Sequence, residues 1–221
     1  LVQALDPLDI PALPMATSKS LSLGDDVIVA GAGGRSHAVA AHVVARQAFA
    51  GYWEYVLDDA VFTAPAHPHW SGAAMIGPKG ELVGIGSLQL EHEAPGGRTA
   101  PINMMVPIEL LAPIFDDLVS GKPKDQRPWL GLFAQEVEGR IVAMGFAGAG
   151  PAKRAGMREG DAILAVAGQK VEDLASFYRR VWSLGAPGVD VPLRLDREGD
   201  VFEVNITSGD RRRFLKKPRY N

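Results

Sequence analysis

The stretch "GAGPAKRAGMREGDAILAVAGQKVEDLASF", residues 148–177, joins turns, a strand and the start of a helix within one short span. Its opening is glycine-rich, holds Pro151 and ends on Gly160 and Asp161, the punctuation of a turn-rich connection. "AILAVAG" is then an apolar run of strand length closed by Gly168. Asp173 stands where a helix needs an N-cap acceptor. Leu174, Phe177, Tyr178 and Val181 follow at i, i+3, i+4 and i+7, one apolar stripe on the helix "VEDLASFYRRVWSL".

Outward from this span the pattern is β. "WLGLFAQEV" and "RIVAMGF" precede it and "VDVPLRLDREG" and "DVFEVNITSG" follow it, all reading as strands. Residues 121–128, "GKPKDQRP", are polar with two prolines and separate two apolar patterns, so they mark a domain boundary. Upstream, "PINMMVPIELLAPIFDDLVSG" carries Ile108, Leu111, Ile114, Phe115 and Leu118 at helical spacing, which predicts a helix over 107–120 despite Pro113. "LSLGDDVIVA" at 21–30 reads as a turn and a strand. "AVAAHVVARQAF" and "YWEYVLDDAVFT" within 38–64 are β-prone, although the alanines of the first also suit a helix. In "HPHWSGAAMIGPKGELVGIGSL", residues 67–88, a hairpin turns at Gly77–Gly80 and leaves Ser71 on the bend before its first strand. Glu91, His92 and Glu93 read as a solvated loop.

Composition bounds the function. The 221 residues are 47% hydrophobic and 22% charged, with 25 Gly and 16 Pro, a globular composition favouring many turns. No run reaches the length of a membrane-spanning helix. The absence of cysteine excludes disulfides, thiol catalysis and cysteine-ligated metals. The net charge of −3 is uneven: the tail at 211–221 holds six basic residues and no acid, leaving 17 basic against 26 acidic residues before it. One basic run without a recognition fold reads as a frayed terminus, and no nucleic-acid partner is expected. "GAGG" at 31–34 completes no phosphate-loop motif, so no cofactor is expected. The opening "LVQALDPLDIPALPM" lacks an initiating methionine and reads as the end of a strand running into a Pro-rich connection, as in the later part of a longer protein.

Pro151, Ala152, Ala155, Gly156, Met157, Gly160, Asp161, Ile163 and Gly168 fill a pattern that closely resembles the PDZ domain of HtrA/Deg-type proteases. "LPMATSKSLSLGDDVIVAGAGG", "KGELVGIGSL" and "APINMMVPIELLAPIFDDLVSGK" resemble the later barrel of the trypsin-like domain of the same family. The resemblance implies a mainly β chain. A six-stranded barrel and connecting helix would occupy 1–120, a linker 121–127, a PDZ sandwich with helices 128–210 and a basic tail 211–221.

The family's Gly-Asn-Ser-Gly-Gly-Pro-Leu falls on His69, Trp70, Ser71, Gly72, Ala73, Ala74 and Met75, so Ser71 takes the nucleophile position. His69 replaces the glycine whose N–H helps to bind the oxyanion, a contribution worth about 3 kcal/mol per donor. A side-chain-bearing residue reaches such a turn less freely than glycine. The triad's His and Asp would precede Leu1. A base rebuilt from His37, His42, His67, His69 or His92, or a metal site at "HPH", lacks supporting spacing, and loop histidines are the simpler reading.

In "PWLGLF" the resemblance puts Leu130, Gly131 and Leu132 at a peptide carboxylate and Phe133 along the peptide strand. Leu174, Phe177, Tyr178 and Val181 would form the opposite wall, or simply core. Two functions stand. One is an HtrA-like endopeptidase of the cell envelope that acts on misfolded proteins and recognises exposed C-termini. The other is an inactive relative serving as a peptide-binding adaptor or chaperone-like scaffold. An oligomer is possible through a region outside this chain.

Overall fold

A computed structural model describes residues 2, 4–94, 97–121 and 126–214. The linker residues 122–125 and the end of the basic tail, 215–221, lie outside the described residues. The chain divides into two compact units, one made of residues 1–48 and 57–123 and the other of residues 49–56 and 124–221.

Strands β1 (Asp26–Ala30), β2 (Val39–Gly51), β3 (Tyr55–Ala64), β4 (Ala74–Ile76), β5 (Leu82–Ala94) and β6 (Arg98–Pro107) close a barrel in the order β1-β2-β3-β6-β5-β4, which makes up the first unit apart from the β2–β3 tip at 49–56. Alternation decides which residues fill it: Val27 and Val29 of β1 point inward while Ile28 is exposed. They pack with Val43, Val61, Met75, Val83 and Met105. Both β-prone segments of 38–64 are strands, because β-branched residues and cross-strand pairing override the helical leaning of the alanines.

Three expectations for this unit are corrected. Glu91, His92 and Glu93 form no loop: they continue β5, paired with Pro101, Ala100 and Thr99, and are polar because that end of the hairpin is exposed. The helix expected over 107–120 breaks into two 3-10 turns, Ile108–Leu110 and Ala112–Ile114, before α1 (Phe115–Ser120). Pro113 supplies no N–H and disrupts the turn before it. Among the described residues of the opening none belongs to a strand, and Met15 forms an isolated bridge to Leu82.

In the second unit, β7 (Leu132–Val137), β8 (Arg140–Phe146), β9 (Ala162–Val166), β11 (Asp190–Arg197) and β12 (Asp200–Thr207) form a sheet in the order β12-β11-β9-β8-β7, with β10 (Gln169–Lys170) added to β9. α2 (Pro151–Arg154) starts with proline, where no helical N–H is lost. α3 (Leu174–Ser183) is capped as its sequence predicts. The Ser176 N–H donates to Asp173 Oδ1 at 2.6 Å and the Asp173 N–H to Ser176 Oγ at 3.2 Å. Asp161, fully buried, receives a two-pronged contact from Arg197, at 2.6 and 2.8 Å, and the Arg158 N–H at 2.8 Å. The start of the basic tail is not frayed: Arg211–Arg213 forms a 3-10 turn, and the Phe214 ring packs 4.6 Å from Trp129.

Candidate functional site

Ser71 lies exposed on a turn fixed to β5. The Gly72 N–H donates to Gly86 O at 2.9 Å, the Gly86 N–H to Ala73 O at 2.7 Å and the Ala73 N–H to Trp70 O at 3.0 Å. A Cβ at Gly86 would stand 1.9 Å from Trp70 O, so only glycine lets the serine turn rest on this strand. Among the described residues nothing hydrogen-bonds the Ser71 hydroxyl.

The residue two before it is committed elsewhere. The His69 N–H donates to His67 Nδ1 at 3.0 Å, and the His67 N–H donates to Asn103 Oδ1 at 2.6 Å. His69 does not enter the left-handed region; the non-glycine residues there are Glu54, Glu138, Ala167 and Glu198. An accepting Nδ1 places the His67 proton on Nε2. His67 is fully buried, which ties it to this loop rather than to Ser71. His37 bonds Gly33 O at 2.8 Å, and His42 and His92 lie exposed on β2 and β5. No three His, Asp or Glu residues converge as metal ligands among the described residues.

The second unit holds a complete anion cradle. Residues 129–132 lead into β7, the edge strand, through Gly131 at φ 68°. Its conformation turns three successive N–H groups toward one carboxylate, that of Glu54. Leu130 N–H lies 3.2 Å from Oε2, Gly131 N–H 2.8 Å from Oε1 and Leu132 N–H 3.2 Å from Oε1. Such charge-assisted bonds contribute about 1.5–3 kcal/mol each and offset the desolvation of the anion. Burial nevertheless pushes the Glu54 carboxyl up to about 7, against the downward pull of the three N–H groups and of Arg211. Burial likewise pushes the Tyr178 phenol up.

The backbone beside Glu54 runs along β7. The Ala134 N–H donates to Tyr52 O at 3.2 Å, and the Tyr178 hydroxyl donates to the same oxygen at 3.1 Å. The Tyr52 ring meets Phe133 edge-on at 5.7 Å. Leu174, Phe177, Tyr178 and Val181 are all buried, in the cluster that Ala50 and Val56 of the hairpin tip pack against. The structure thus brings together Leu130, Gly131, Leu132, Phe133 and Tyr178 around residues 52–54, while Leu174, Phe177 and Val181 lie in the core.

Sequence reasoning missed Tyr52, Glu54 and Arg211. The available signal was "YWEY": three aromatics around one acid at a hairpin tip are a contact surface rather than a solvated turn.

Residues 128–207 match the PDZ domain family. The chain is similar to a probable periplasmic serine endoprotease, DegP-like, of Pseudomonas fluorescens, 29% identical over 93% of this chain and 45% of the relative. It is also similar to the protein of that description from Brucella suis, 32% identical over 62% of this chain and 28% of the relative. The chain thus spans less than half the length of these curated relatives. Among solved structures, the HtrA-type protease AlgW with tripeptide superimposes with a TM-score of 0.58 at 22% identity, covering 97% of this chain and 73% of that one. A serine endoprotease from Yersinia pestis gives a TM-score of 0.54 at 24% identity over 93% of this chain and 69% of that one. The mainly β fold is a trypsin-like barrel followed by a PDZ domain. No described helix is long and apolar enough to cross a membrane.

Proposed function

We propose, from the premise that this is an HtrA/Deg-type chain with a PDZ domain, that it supplies the C-terminal barrel and the peptide-recognition domain of an envelope serine endopeptidase acting on misfolded proteins. The groove between β7 and α3 recognises an exposed peptide C-terminus. Leu130, Gly131 and Leu132 bind its carboxylate, Phe133 and Ala134 pair with its backbone, and Tyr178 contributes from α3. Leu174, Phe177 and Val181 hold α3 in place. The observation that carries this reading is the convergence of three N–H groups on one carboxylate at the mouth of an edge strand. Envelope location is supported by the periplasmic naming of the relatives.

Ser71 is the nucleophile position of the parent protein, and His69 the oxyanion position. The engaged His69 N–H favours a second reading, in which the barrel is retained as a scaffold and the PDZ domain works as a peptide-binding adaptor. One experiment separates them: treat the full-length parent and its Ser71→Ala variant with a fluorophosphonate probe, with and without a peptide ending in an apolar residue. Labelling that the alanine variant loses supports the endopeptidase. Peptide binding without any labelling supports the adaptor.

A further inference from the structure

The carboxylate loop already has a ligand. Residues 49–56 and 124–221 form one compact unit, so the contact of Glu54 with Leu130–Leu132 is internal to it. All three N–H groups that a peptide terminus would need are spent on the Glu54 carboxylate, which is 9% exposed. The resemblance to a bound peptide extends past the anion. Tyr52 O takes the Ala134 N–H of the edge strand, the bond an added strand would make, and the Tyr52 ring covers Phe133.

We propose that residues 52–54 are a built-in competitor of the groove, with the Glu54 side chain standing in for a C-terminal carboxylate, and that a peptide binds only by displacing this tip. The inference rests on the peptide-recognition reading above.

Two further observations mark the tip as an occupant that can be exchanged. Glu54 sits at φ 60°, a left-handed conformation that a non-glycine residue adopts at some conformational cost. Burial also disfavours its anion, raising the carboxyl from 4.5 to about 7, a desolvation cost that the docked tip carries and the freed tip does not. An open cleft lined by Trp53, Trp129, Phe133, Arg211 and Phe214 adjoins the loop and leaves room for approach.

A tethered ligand has a high effective concentration, and it lowers apparent affinity by the fraction of time the site is open. A tip docked nine-tenths of the time weakens peptide binding about tenfold. The test uses the whole chain and a fluorescent peptide ending in apolar residues, as free acid and as C-terminal amide, read by anisotropy. Glu54→Ala is expected to bind the acid at least tenfold more tightly than the natural protein does, with the amide weak in both. Glu54→Ser, whose side chain is too short to reach the three N–H groups, is expected to move the same way and serves if the alanine variant does not fold. Amide hydrogen exchange at Leu130–Leu132 is expected to be slow in the natural protein, fast in the variant and slow again with peptide. Equal acid affinity for natural and variant proteins, with the acid still preferred over the amide, overturns the competitor while leaving peptide recognition intact. Loss of the acid preference in every variant overturns both.

Discussion

The backbone N–H of His69 is held by Nδ1 of His67 at 3.0 Å, two residues before the serine that the family resemblance puts at the nucleophile position. An amide engaged in this way cannot also bind a developing oxyanion, and the ring that engages it is buried and cannot swing aside without opening the loop. His69→Gly gives the loop access to a positive φ and lets the amide turn outward. Fluorophosphonate labelling of Ser71 in the full-length parent is expected to rise at least tenfold, within the range one oxyanion donor contributes. Unchanged labelling would show that the missing donor is not what limits the serine.

Peptide affinity should depend on pH through Glu54. Its carboxyl is raised from an ordinary 4.5 to about 7 when docked, so the docked tip holds a proton that the free tip releases. Docking is therefore complete in strength below about 4.5 and weakens as pH rises toward 7, by on the order of a hundredfold in the docked-to-free ratio. Arg211 and Tyr178 also face it: Arg211 pulls the Glu54 carboxyl down, and burial pushes the Tyr178 phenol upward, away from this window. The affinity of the free-acid peptide should climb between about pH 5 and 7, and Glu54→Gln should flatten the profile. A profile as steep in Glu54→Gln as in the natural protein would place the titration elsewhere.

Gly131→Ala tests the cradle itself. At φ 68° an alanine is strained, and its Cβ would approach the Trp129 ring to 3.0 Å and Gly150 Cα to 3.1 Å. A loss of about 1–3 kcal/mol in urea unfolding is expected, with peptide affinity falling at least tenfold. Unaltered affinity would remove Gly131 from the recognition loop.

Asp161 tests the motif from which the fold was read. Burial raises its carboxyl, but the Arg197 contacts and the Arg158 N–H outweigh that and hold it below the usual range. Asp161→Ala leaves buried donors without their acceptor and is expected to cost about 3 kcal/mol at pH 7. A lowered folded pKa means that the contribution is present above the unfolded value and is lost as pH falls through the folded one. The stability difference between the two proteins should shrink as the pH drops below about 4. A difference that persists at pH 2 would assign the effect to packing instead.

What the chain betrays in advance is what local chemistry decides. β8 coincides with "RIVAMGF", and the Asp173 cap was readable because the acceptor and its N–H lie three residues apart. The helix over 107–120 failed because the stripe Ile108, Leu111, Ile114, Phe115, Leu118 describes a face, whereas Pro113 decides whether a backbone can carry it. Glu91, His92 and Glu93 looked like a loop because a strand exposed at its far end loses the alternation by which strands are recognised. Glu54 was invisible for a different reason. Its partners lie 76 to 78 positions away along the chain, and a hydrogen bond across that distance leaves no periodicity or spacing to find.

The outermost strand, β7, ends its sheet, and an open sheet border offers backbone groups to any extended chain that passes. Tyr52 closes part of that border by taking the Ala134 N–H. The hairpin tip thus also guards against self-association: a molecule whose tip has swung out, and which has yet to find a peptide, exposes a template on which a second copy can pair.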